Sequence, residues 1–473
     1  MTDYRSQIHD YLQSHRQELV EHWKELVRIP SVKSAPLPGA PFGPNSAQVL
    51  RCAQRIYQNY GFDTQLDADG GYLLSFYGSG EKTIGMFAHA DVVPPGEDWI
   101  YTTPFDPIEK DGFLIGRGVS DNKSAVMLSL YCARLLRDLN IPFHSRLVMF
   151  TGSNEENGME DIRSFTEKHG VPDVSLVCDS GFPVFRGDKG IIRYYVKADR
   201  AFDSVLQFEG GSAFNVILGK AQLVLHYNEA LFAELTEKAE EAITVTAEND
   251  TILLHATGIS RHAAAPDGSR NAGWMLVELL SRCDTLPPHD RALFTIAEQM
   301  LRLYNGSYFG IENIDTDFGP LTCANGIIRL EDGKLVLSFD IRHGPQAPTD
   351  WILDRIRSTL APIGWELDVD SVSTPFVIPA DNPFILAALD AYKAFTGDEN
   401  ADSHLNAGGT YAKYLPGNAL ETGICMPRER PFELPSGHGG AHQPDECISI
   451  DGLLEAIELT LTYLLACDQK LYE

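Results

Sequence analysis

The sequence predicts an α/β protein whose first domain has a mostly parallel sheet and whose second, α+β domain is inserted within the first. Short apolar segments alternate with amphipathic helical segments before Asp188, and this alternation is typical of parallel sheets. After Asp188 the strand segments show the alternating pattern of antiparallel sheets. A chain of 473 residues is also about twice the size at which single cores usually divide.

Hydrophobic periodicity predicts the elements that precede the insertion. Apolar residues at helical spacing predict a helix over 4–28 that ends before Pro30, and a second helix over Ser46–Tyr60 ends at Gly61. The predicted elements that follow are the strands Tyr72–Tyr77 and Thr83–Ala88, the helix Asn122–Leu139, the strand Arg146–Thr151, the helix Met159–His169 and the strand Val174–Cys178.

The change of pattern predicts an inserted domain over residues 188–380, so that the first domain comprises 1–187 and 381–473. The sequence Asp381-Asn382-Pro383 is typical of a helix start and marks the return to the first domain. The insertion has predicted strands at Ile191–Lys197, Thr251–Gly258 and Leu335–Ile341 and predicted helices at 228–241, 271–281 and Trp351–Ile363, and the returning chain has predicted helices at 384–396 and Ile450–Leu465.

The composition is that of an acidic globular protein. Lys and Arg total 38 against 66 Asp and Glu, and the net charge of −28 argues against nucleic acid or an anionic membrane as a partner. The eight cysteines form no C-x-x-C pair, which argues against a zinc knuckle or a thioredoxin-type motif. Their density is too low for a disulfide scaffold. No signal-peptide segment and no apolar run of membrane-spanning length occurs. We therefore expect a cytoplasmic location with reduced cysteines.

Residues of metal-binding type follow three of the predicted strands. His89 and Asp91 follow one strand, Glu155 and Glu156 follow the next, and Asp179 follows a third. In open α/β sheets, sites lie beyond the carboxyl ends of the strands, so these side chains are expected to meet. A nearby dication also removes the repulsion between adjacent acids. Taken one at a time, these residues have simpler interpretations as a polar loop or an exposed acidic turn.

Asp121 stands at the start of the predicted helix Asn122–Leu139, within the sequence GRGVSDNK. It could cap the helix N-terminus, or it could bridge two cations with one oxygen to each. For the adjacent acids Glu155 and Glu156, one could ligate while its neighbour acts as a general base on a metal-activated water.

Three further histidines are candidates. His438 and His442 lie close together in the segment GHGGAHQPDE, and residue chemistry alone leaves open which of them is a ligand. His262 lies in a turn of small residues within the insertion, where a structural, hydrogen-bonded histidine is the alternative to a functional one.

Taken together, these segments resemble one family, the aminoacylase/carboxypeptidase-type dinuclear zinc metallopeptidases, and most closely its peptidase V-like dipeptidases. The resemblance spans almost the whole chain in the family's order and implies a zinc-peptidase-like catalytic domain with an inserted lid domain. It rests on the stretches MFAHADVVPPGEDW, GRGVSDNKSAVM, TGSNEENG, CDSGFPV, FEGGSAFNV, GISRHAAAPDGSRNA, LSFDIRHG, AGGTYAKY and GGAHQPDE.

The resemblance implies a set of metal ligands. His89 and Asp179 would bind one ion, Glu156 and His442 would bind the other, and Asp121 would bridge the two. The family's ligand histidine is followed by a short spacer and a glutamate, which is the pattern after His442. The peptide bond that follows Asp121 is cis in similar proteins. The implied cofactors are two divalent metal ions, with Zn²⁺ expected and Mn²⁺ or Co²⁺ as alternatives.

The resemblance also implies roles in catalysis. Asp91 would orient His89, and Glu155 would be the general base that moves a proton from the attacking water to the leaving amine. His262 would stabilise the oxyanion of the tetrahedral intermediate, with Asn215 beside it.

Substrate binding is implied for residues of the insertion and of the returning chain. Arg342 would bind the substrate's C-terminal carboxylate, helped by backbone N–H groups near Gly408, Gly409 and Thr410. The long lid is similar to that of the peptidase V type, which acts as a monomer. The chain departs from similar enzymes at Asn406-Ala407 and at Leu218, which concerns side-chain preference and leaves the ligand set unaffected.

These features predict metal-dependent hydrolysis of dipeptides or short peptides with a free C-terminal carboxylate. The alternative within the family is an N-acyl-amino-acid amidohydrolase with the same ligands. The rival outside it is a binding protein on an inactive hydrolase fold, and the presence of Glu155 together with every implied ligand argues against that rival. The expected partner is a small peptide substrate.

Overall fold

A computed structural model describes residues 4–473, and the chain forms two compact units. The first unit comprises the described residues of Met1–Gly187 with Val377–Asn406 and Thr410–Glu473. The second unit comprises Asp188–Phe376 with Ala407–Gly409. Among residues 4–473, no helix has both the length and the hydrophobicity that crossing a bilayer requires.

The helices and strands follow one another in three parts of the chain. The first part contains α1 (Arg5–Ser14), α2 (Arg16–Val27), α3 (Pro44–Asn59), β1 (Asp63–Asp67), β2 (Tyr72–Tyr77), β3 (Thr83–His89), β4 (Ile108–Lys110), β5 (Phe113–Ile115), α4 (Lys123–Asp138), β6 (Arg146–Gly152), α5 (Glu160–His169), β7 (Val174–Ser180) and β8 (Phe185–Asp188). The second part contains β9 (Gly190–Ala201), β10 (Val205–Gly210), β11 (Lys220–His226), α6 (Glu229–Lys238), β12 (Ile243–Glu248), β13 (Thr251–Thr257), α7 (Ala272–Ser281), α8 (Pro288–Leu301), β14 (Ile314–Asp315), β15 (Gly319–Pro320), β16 (Thr322–Ala324), β17 (Ile328–Glu331), β18 (Lys334–His343), α9 (Thr349–Leu360), β19 (Glu366–Ser373) and β20 (Phe376–Val377). The third part contains α10 (Pro383–Thr396), β21 (His404–Asn406), β22 (Ala419–Gly423), β23 (Cys447–Ser449) and α11 (Ile450–Leu471).

The main sheet of the first unit runs in the order β1-β2-β6-β3-β7-β22-β8. Its centre is parallel, because β3 pairs with β6 and β7 and β22 pairs with β7 in the same direction. Antiparallel strands flank that centre, with β1 and β2 on one side and β8 on the other. The predicted α/β class with an α+β insertion is confirmed, and the parallel centre is the part of the sheet that carries the candidate ligands.

Aromatic side chains support the central strands from one face. Phe87 of β3, Phe150 of β6 and Phe165 of α5 lie with ring centroids 5.2 to 5.7 Å apart. Tyr72 stacks on Phe150 at 5.4 Å. Each such pair contributes roughly 0.5–1.5 kcal/mol beyond its buried area, so the ends of β3 and β6 rest on a rigid layer.

The second unit is built on an antiparallel sheet in the order β12-β13-β11-β10-β17-β18-β9-β19, with β16 beside β18. Its strands alternate buried and exposed residues, as β9 and β11 show, which is the pattern of a sheet with one covered face. Side chains from the helices of this unit, among them Leu276, Phe294 and Ile352, enter the same core. The α+β character predicted for the insertion is confirmed.

Two of the predicted helices differ clearly in extent from those of the structure. The predicted helix 4–28 is divided at His15, whose ring Nδ1 lies 2.8 Å from the Tyr11 carbonyl oxygen that Ser14 Oγ also contacts at 2.7 Å. Such side-chain bonds compete with the helical ladder. The last helix continues beyond Leu465 to Leu471 because the buried Asp468 accepts hydrogen bonds from Ser145 N at 2.8 Å and Ser145 Oγ at 2.6 Å. A polar anchor of this kind leaves no hydrophobic periodicity in the sequence.

Candidate metal centre

Three neighbouring strands bring the candidate ligands to one edge of the parallel sheet. His89 is the last residue of β3 and pairs with Gly152, the last residue of β6, after which Glu155 and Glu156 form a short 3₁₀ turn. Asp179 lies near the end of β7, the other neighbour of β3. Because the three strands are parallel, their carboxyl ends meet at the same edge. The strands β3 and β7 end one and two residues later than the sequence predicts, so His89 and Asp179 belong to the strands themselves.

The first candidate ligand group consists of His89, Asp121 and Asp179. His89 Nε2 lies 3.0 Å from Asp121 Oδ1 and 3.6 Å from Asp179 Oδ2. The His89 side chain is only 1% exposed, and among the described residues its Nε2 has no hydrogen-bond partner of adequate geometry. A buried imidazole nitrogen that faces two carboxylates without such a bond is suited to a cation.

The second group consists of Asp121, Glu156 and His442. His442 Nε2 lies 3.0 Å from Asp121 Oδ2 and 3.1 Å from Glu156 Oε1. The two histidines thus face different oxygens of the same Asp121 carboxylate. This is the arrangement required if one carboxylate is shared by two ions.

The start of α4 sets the position of Asp121. Asn122, not Asp121, occupies the N-cap position, so the capping interpretation of Asp121 does not hold. The Asn122 amide donates to Cys178 O at 2.8 Å and to Asp179 Oδ1 at 2.7 Å, and this joins the helix start to β7. The Asp121–Asn122 peptide bond is cis, as the family resemblance predicts.

Asp91 lies behind His89 and contacts it in two ways. His89 Nδ1 is 3.1 Å from the Asp91 backbone oxygen and 3.4 Å from Asp91 Oδ1. The Asp91 carboxylate also accepts hydrogen bonds from the backbone N–H groups of Glu155 at 3.1 Å and Glu156 at 3.2 Å. The side chain of Asp91 therefore joins the histidine of one strand to the two acids that follow the next strand.

Burial and the neighbouring charges shift the pKa values of the site residues in opposite directions. Burial, with the nearby Asp179, raises the pKa of Glu155 well above its usual range. Burial and Asp121 raise the pKa of Glu156 to about 7. Burial alone would raise the pKa of Asp121, but the adjacent imidazoles of His442 and His89 outweigh it and hold that pKa low. Hydrogen bonding to Asp121 and Glu156 raises the pKa of His442 to about 10. Buried acids that resist ionisation in this way are stabilised as anions by a dication, so the donor set fits two such ions.

Of the two competing histidines, His442 joins the ligand group and His438 does not. His438 Nδ1 lies 2.8 Å from Asp445 Oδ2. The other oxygen of Asp445 accepts hydrogen bonds from the backbone N–H groups of Ile100 at 3.0 Å and Tyr101 at 2.9 Å. Asp445 thus contacts His438 within the loop, and of the two histidines only His442 belongs to a candidate ligand group of the described residues.

The second unit holds two predicted site residues side by side. Val216 and His262 form an isolated β-bridge, and the Ala263 N–H donates to the Asn215 carbonyl at 2.8 Å. His262 is exposed, and its Nδ1 accepts a hydrogen bond from the Ala264 N–H at 3.2 Å. Asn215 and His262 are therefore adjacent within this unit, as the resemblance predicts.

Arg342 is buried in the same unit, where an aspartate orients it. Its Nε and Nη2 donate to the two oxygens of Asp340 at 2.5 and 3.2 Å, and its Nη1 donates to Ala407 O at 3.0 Å. Gly408 and Gly409 follow Ala407 within this unit, whereas Thr410 belongs to the first unit and caps a short turn through its hydroxyl. The guanidinium therefore contacts the residue that precedes Gly408.

A model of the peptidase family M20/M25/M40 matches residues 85–466. The chain belongs to this family. It is therefore a metallopeptidase, as the sequence predicts. Relatives include "Putative dipeptidase YtjP" of Bacillus subtilis, 28% identical over 94% of this chain and 96% of the relative, and "Putative dipeptidase" of Staphylococcus epidermidis, 25% identical over 84% and 88%.

Solved structures share the fold of the peptidase. Human carnosine dipeptidase 1 superposes with a TM-score of 0.61 at 16% identity and covers 98% of this chain and 99% of its own. The di-peptidase Dug1p of Saccharomyces cerevisiae gives a TM-score of 0.59 at 15% identity, with 99% of each chain covered. At these identities the likeness establishes the fold.

The structure gives supporting contacts to residues for which the sequence predicted no role as ligand, base or substrate contact. Asn122 and Glu446 lie in stretches that carry the family resemblance, so that resemblance is the signal that could have found them. Asp161 lies outside those stretches, and its only local signal is an acid in the first turn of α5. The candidate site of the peptidase thus depends on buried polar groups beyond its ligands.

Glu446 holds the loop that carries Asp121. Its carboxylate is fully buried and accepts hydrogen bonds from Arg117 Nη1 at 2.6 Å and from the backbone N–H groups of Gly118 at 3.0 Å, Ser120 at 2.8 Å and Asp121 at 2.9 Å. Glu446 lies on the same segment as His442. One carboxylate therefore connects the loops of two candidate ligands.

We expect Glu446→Ala to lower the free energy of unfolding by about 3–5 kcal/mol, because it leaves Arg117 buried and unpaired. Urea titration followed by circular dichroism measures the change. The matched control is Glu455→Ala, which removes a surface pair with Arg428 whose side chains are 31% and 46% exposed. We expect this control to lie within about 1 kcal/mol of wild type. Equal stability of both variants would contradict the structural role of Glu446.

Proposed function

We propose that this metallopeptidase is a dipeptidase that hydrolyses dipeptides or short peptides with a free C-terminal carboxylate. The observation that carries the proposal is the pair of ligand groups that share Asp121, with the buried Glu155 next to the ligand Glu156. The dipeptidase names of the relatives support the same substrate class. The predicted monomeric state and cytoplasmic location stay predictions.

In this proposal five residues hold two divalent ions. His89 and Asp179 hold one, Glu156 and His442 hold the other, and Asp121 is shared. When bound, such ions lower the pKa of a water and polarise the scissile carbonyl. A donor set of imidazole and carboxylate suits Zn²⁺ best, with Mn²⁺ or Co²⁺ as alternatives.

Glu155 is the proposed general base. Its Oε1 is buried and has no hydrogen-bond partner among the described residues, so this oxygen has the capacity to accept a proton from the attacking water. In this proposal Glu155 holds that proton until the leaving amine takes it. Asp91, which accepts the Glu155 N–H, keeps the base and His89 in fixed relation.

The roles of the second-unit residues are further parts of the proposal. Arg342, oriented by Asp340, would bind the substrate carboxylate together with Gly408, Gly409 and Thr410, since a planar guanidinium matches a carboxylate. His262 and Asn215 would donate to the oxyanion.

A substrate panel with added Zn²⁺, Mn²⁺ or Co²⁺ tests the proposal. We expect hydrolysis of Leu-Leu and a loss of at least about 10-fold in kcat/KM for its C-terminal amide, because a charge-assisted bond to the carboxylate is lost. N-acetyl-leucine is expected to be a poor substrate. Hydrolysis of N-acetyl-leucine without hydrolysis of Leu-Leu would indicate the amidohydrolase alternative instead, and inactivity on all three compounds would refute the proposal.

A further inference from the structure

The segment that leads from β6 to Glu156 is fixed by hydrogen bonds from its backbone N–H groups to two carboxylates. The N–H groups of Ser153 and Asn154 both donate to Asp161 Oδ2, at 2.7 and 2.9 Å. The next two N–H groups, those of Glu155 and Glu156, donate to the two oxygens of Asp91 at 3.1 and 3.2 Å. Residues 153–156 thus donate in succession to two carboxylates, and this fixes the peptide planes on both sides of Glu155.

Tyr411 in turn fixes Asp161. The Tyr411 hydroxyl donates to Asp161 Oδ2 at 2.6 Å, and both side chains are buried, with exposures of 1% for Tyr411 and 0% for Asp161. The space around this bond admits no further atom at Gly152, where an added Cβ would lie 2.0 Å from the Tyr411 hydroxyl and 2.4 Å from Asp161 Oδ2. The Tyr411 ring also packs edge-on against Phe150, with centroids 5.5 Å apart.

We propose that Asp161 and Tyr411 are positioning residues for Glu155. The direction of the Glu155 side chain follows from the two peptide planes that flank it, which Asp91 holds. Asp161, held by Tyr411, fixes the two preceding planes, through which the chain passes from β6 to Glu155. A misplacement of about 1 Å at a reacting group costs on the order of 100-fold in rate. This inference rests on the proposed function, because it requires Glu155 to act as the base.

A simpler role for Asp161 is to cap α5, since its Oδ1 accepts the Ile162 N–H at 2.8 Å. Tyr411→Phe separates the two roles. This substitution removes only the hydroxyl that contacts Oδ2 and leaves the Oδ1 bond to the helix in place. Asp161→Asn weakens the acceptor for the N–H groups of both Ser153 and Asn154. We expect it to lower kcat more than Tyr411→Phe does.

The test compares Tyr411→Phe and Asp161→Asn with a control, Tyr194→Phe, which removes a buried hydroxyl in the second unit next to Cys323 Sγ at 3.7 Å. We expect kcat on Leu-Leu to fall about 10-fold and about 100-fold in the two variants, with KM within about twofold of wild type and the control unchanged. Cobalt titration of the metal-free proteins, followed by visible absorption, is expected to show the wild-type stoichiometry for all three variants.

An unchanged kcat in Tyr411→Phe would overturn the inference, and this variant decides it if Asp161→Asn does not fold. A loss of kcat accompanied by loss of cobalt binding would overturn it too. Asp161 and Tyr411 would then position the metal ligands and not Glu155. If wild type shows no metal-dependent hydrolysis, the proposed function fails and the inference fails with it. If wild type is active and the variants match it, only the inference fails.

Discussion

Replacement of Glu155 by glutamine is expected to lower kcat on Leu-Leu by about 1000-fold while the protein keeps its metal ions. General bases contribute roughly 100- to 10,000-fold, and glutamine keeps the size of the side chain while it removes the ability to accept the proton. Glu155 is 8% exposed and belongs to neither ligand group, so metal binding should persist. Steady-state kinetics measure the rate, and elemental analysis after gel filtration measures the metal content.

The same substitution is expected to leave the melting temperature of the metal-free protein unchanged or to raise it. Burial and neighbouring acids disfavour the charged form of Glu155, and a neutral isostere relieves that cost. The control is Glu167→Gln, an exposed residue of α5, for which kcat should stay at the wild-type value. Hydrolysis by the Glu155 variant at the wild-type rate would rule out the proposed base.

Replacement of Asp121 by alanine is expected to abolish binding of both metal ions and with it all measurable hydrolysis. Asp121 is the only residue common to the two ligand groups, and each of its oxygens faces one histidine at 3.0 Å. Removal of one carboxylate therefore removes a ligand from both groups. Calorimetric titration of the metal-free variant with Zn²⁺ measures the loss.

The contrast variant is His442→Ala, which belongs to only one of the two groups. This variant is expected to lose its affinity for one ion and to keep its affinity for the other. Asp106→Ala, an exposed aspartate of the first unit, serves as a control with two normal sites. Exhaustive chelation of wild type should have the same effect as Asp121→Ala. It should also lower the free energy of unfolding, by about 4 kcal/mol for an ion whose free concentration before chelation was 1000 times its Kd. Two intact sites in the Asp121 variant would exclude a shared ligand.

The candidate ligands could be recognised from the sequence because local pattern constrains their place. A short apolar strand followed by a polar residue of ligand type predicts a side chain at the carboxyl edge of a parallel sheet, and His89, Glu156 and Asp179 each follow this rule. The structure places all three within ligand distance of Asp121 or His442. Their roles as metal ligands stay predictions until metal binding is measured.

The choice between His438 and His442 is one that the local sequence pattern could not predict. Both histidines lie in one glycine-rich loop, so residue chemistry alone could not separate them. Asp445 contacts the His438 ring. Its neighbour in the sequence, Glu446, accepts a hydrogen bond from the backbone N–H of Asp121. The positive backbone φ of 65° at His442 and 51° at Asp445 belongs to this loop geometry, and hydrophobic periodicity carries no information about such turns.

The fold class could be predicted from the order of residues, because periodicity and spacing report which side chains face a core or end a strand. The inserted domain was predicted from the same patterns, and the candidate ligands were predicted from strand ends together with the family resemblance. The contacts that hold the ligands in place were not. Tyr411 meets Asp161, and Glu446 meets Asp121, across long stretches of chain. A hydrogen bond between distant segments depends on where several loops bring their ends, and that is settled by packing of the whole unit. The first unit therefore reveals the support of Glu155 and Asp121 only once it is folded.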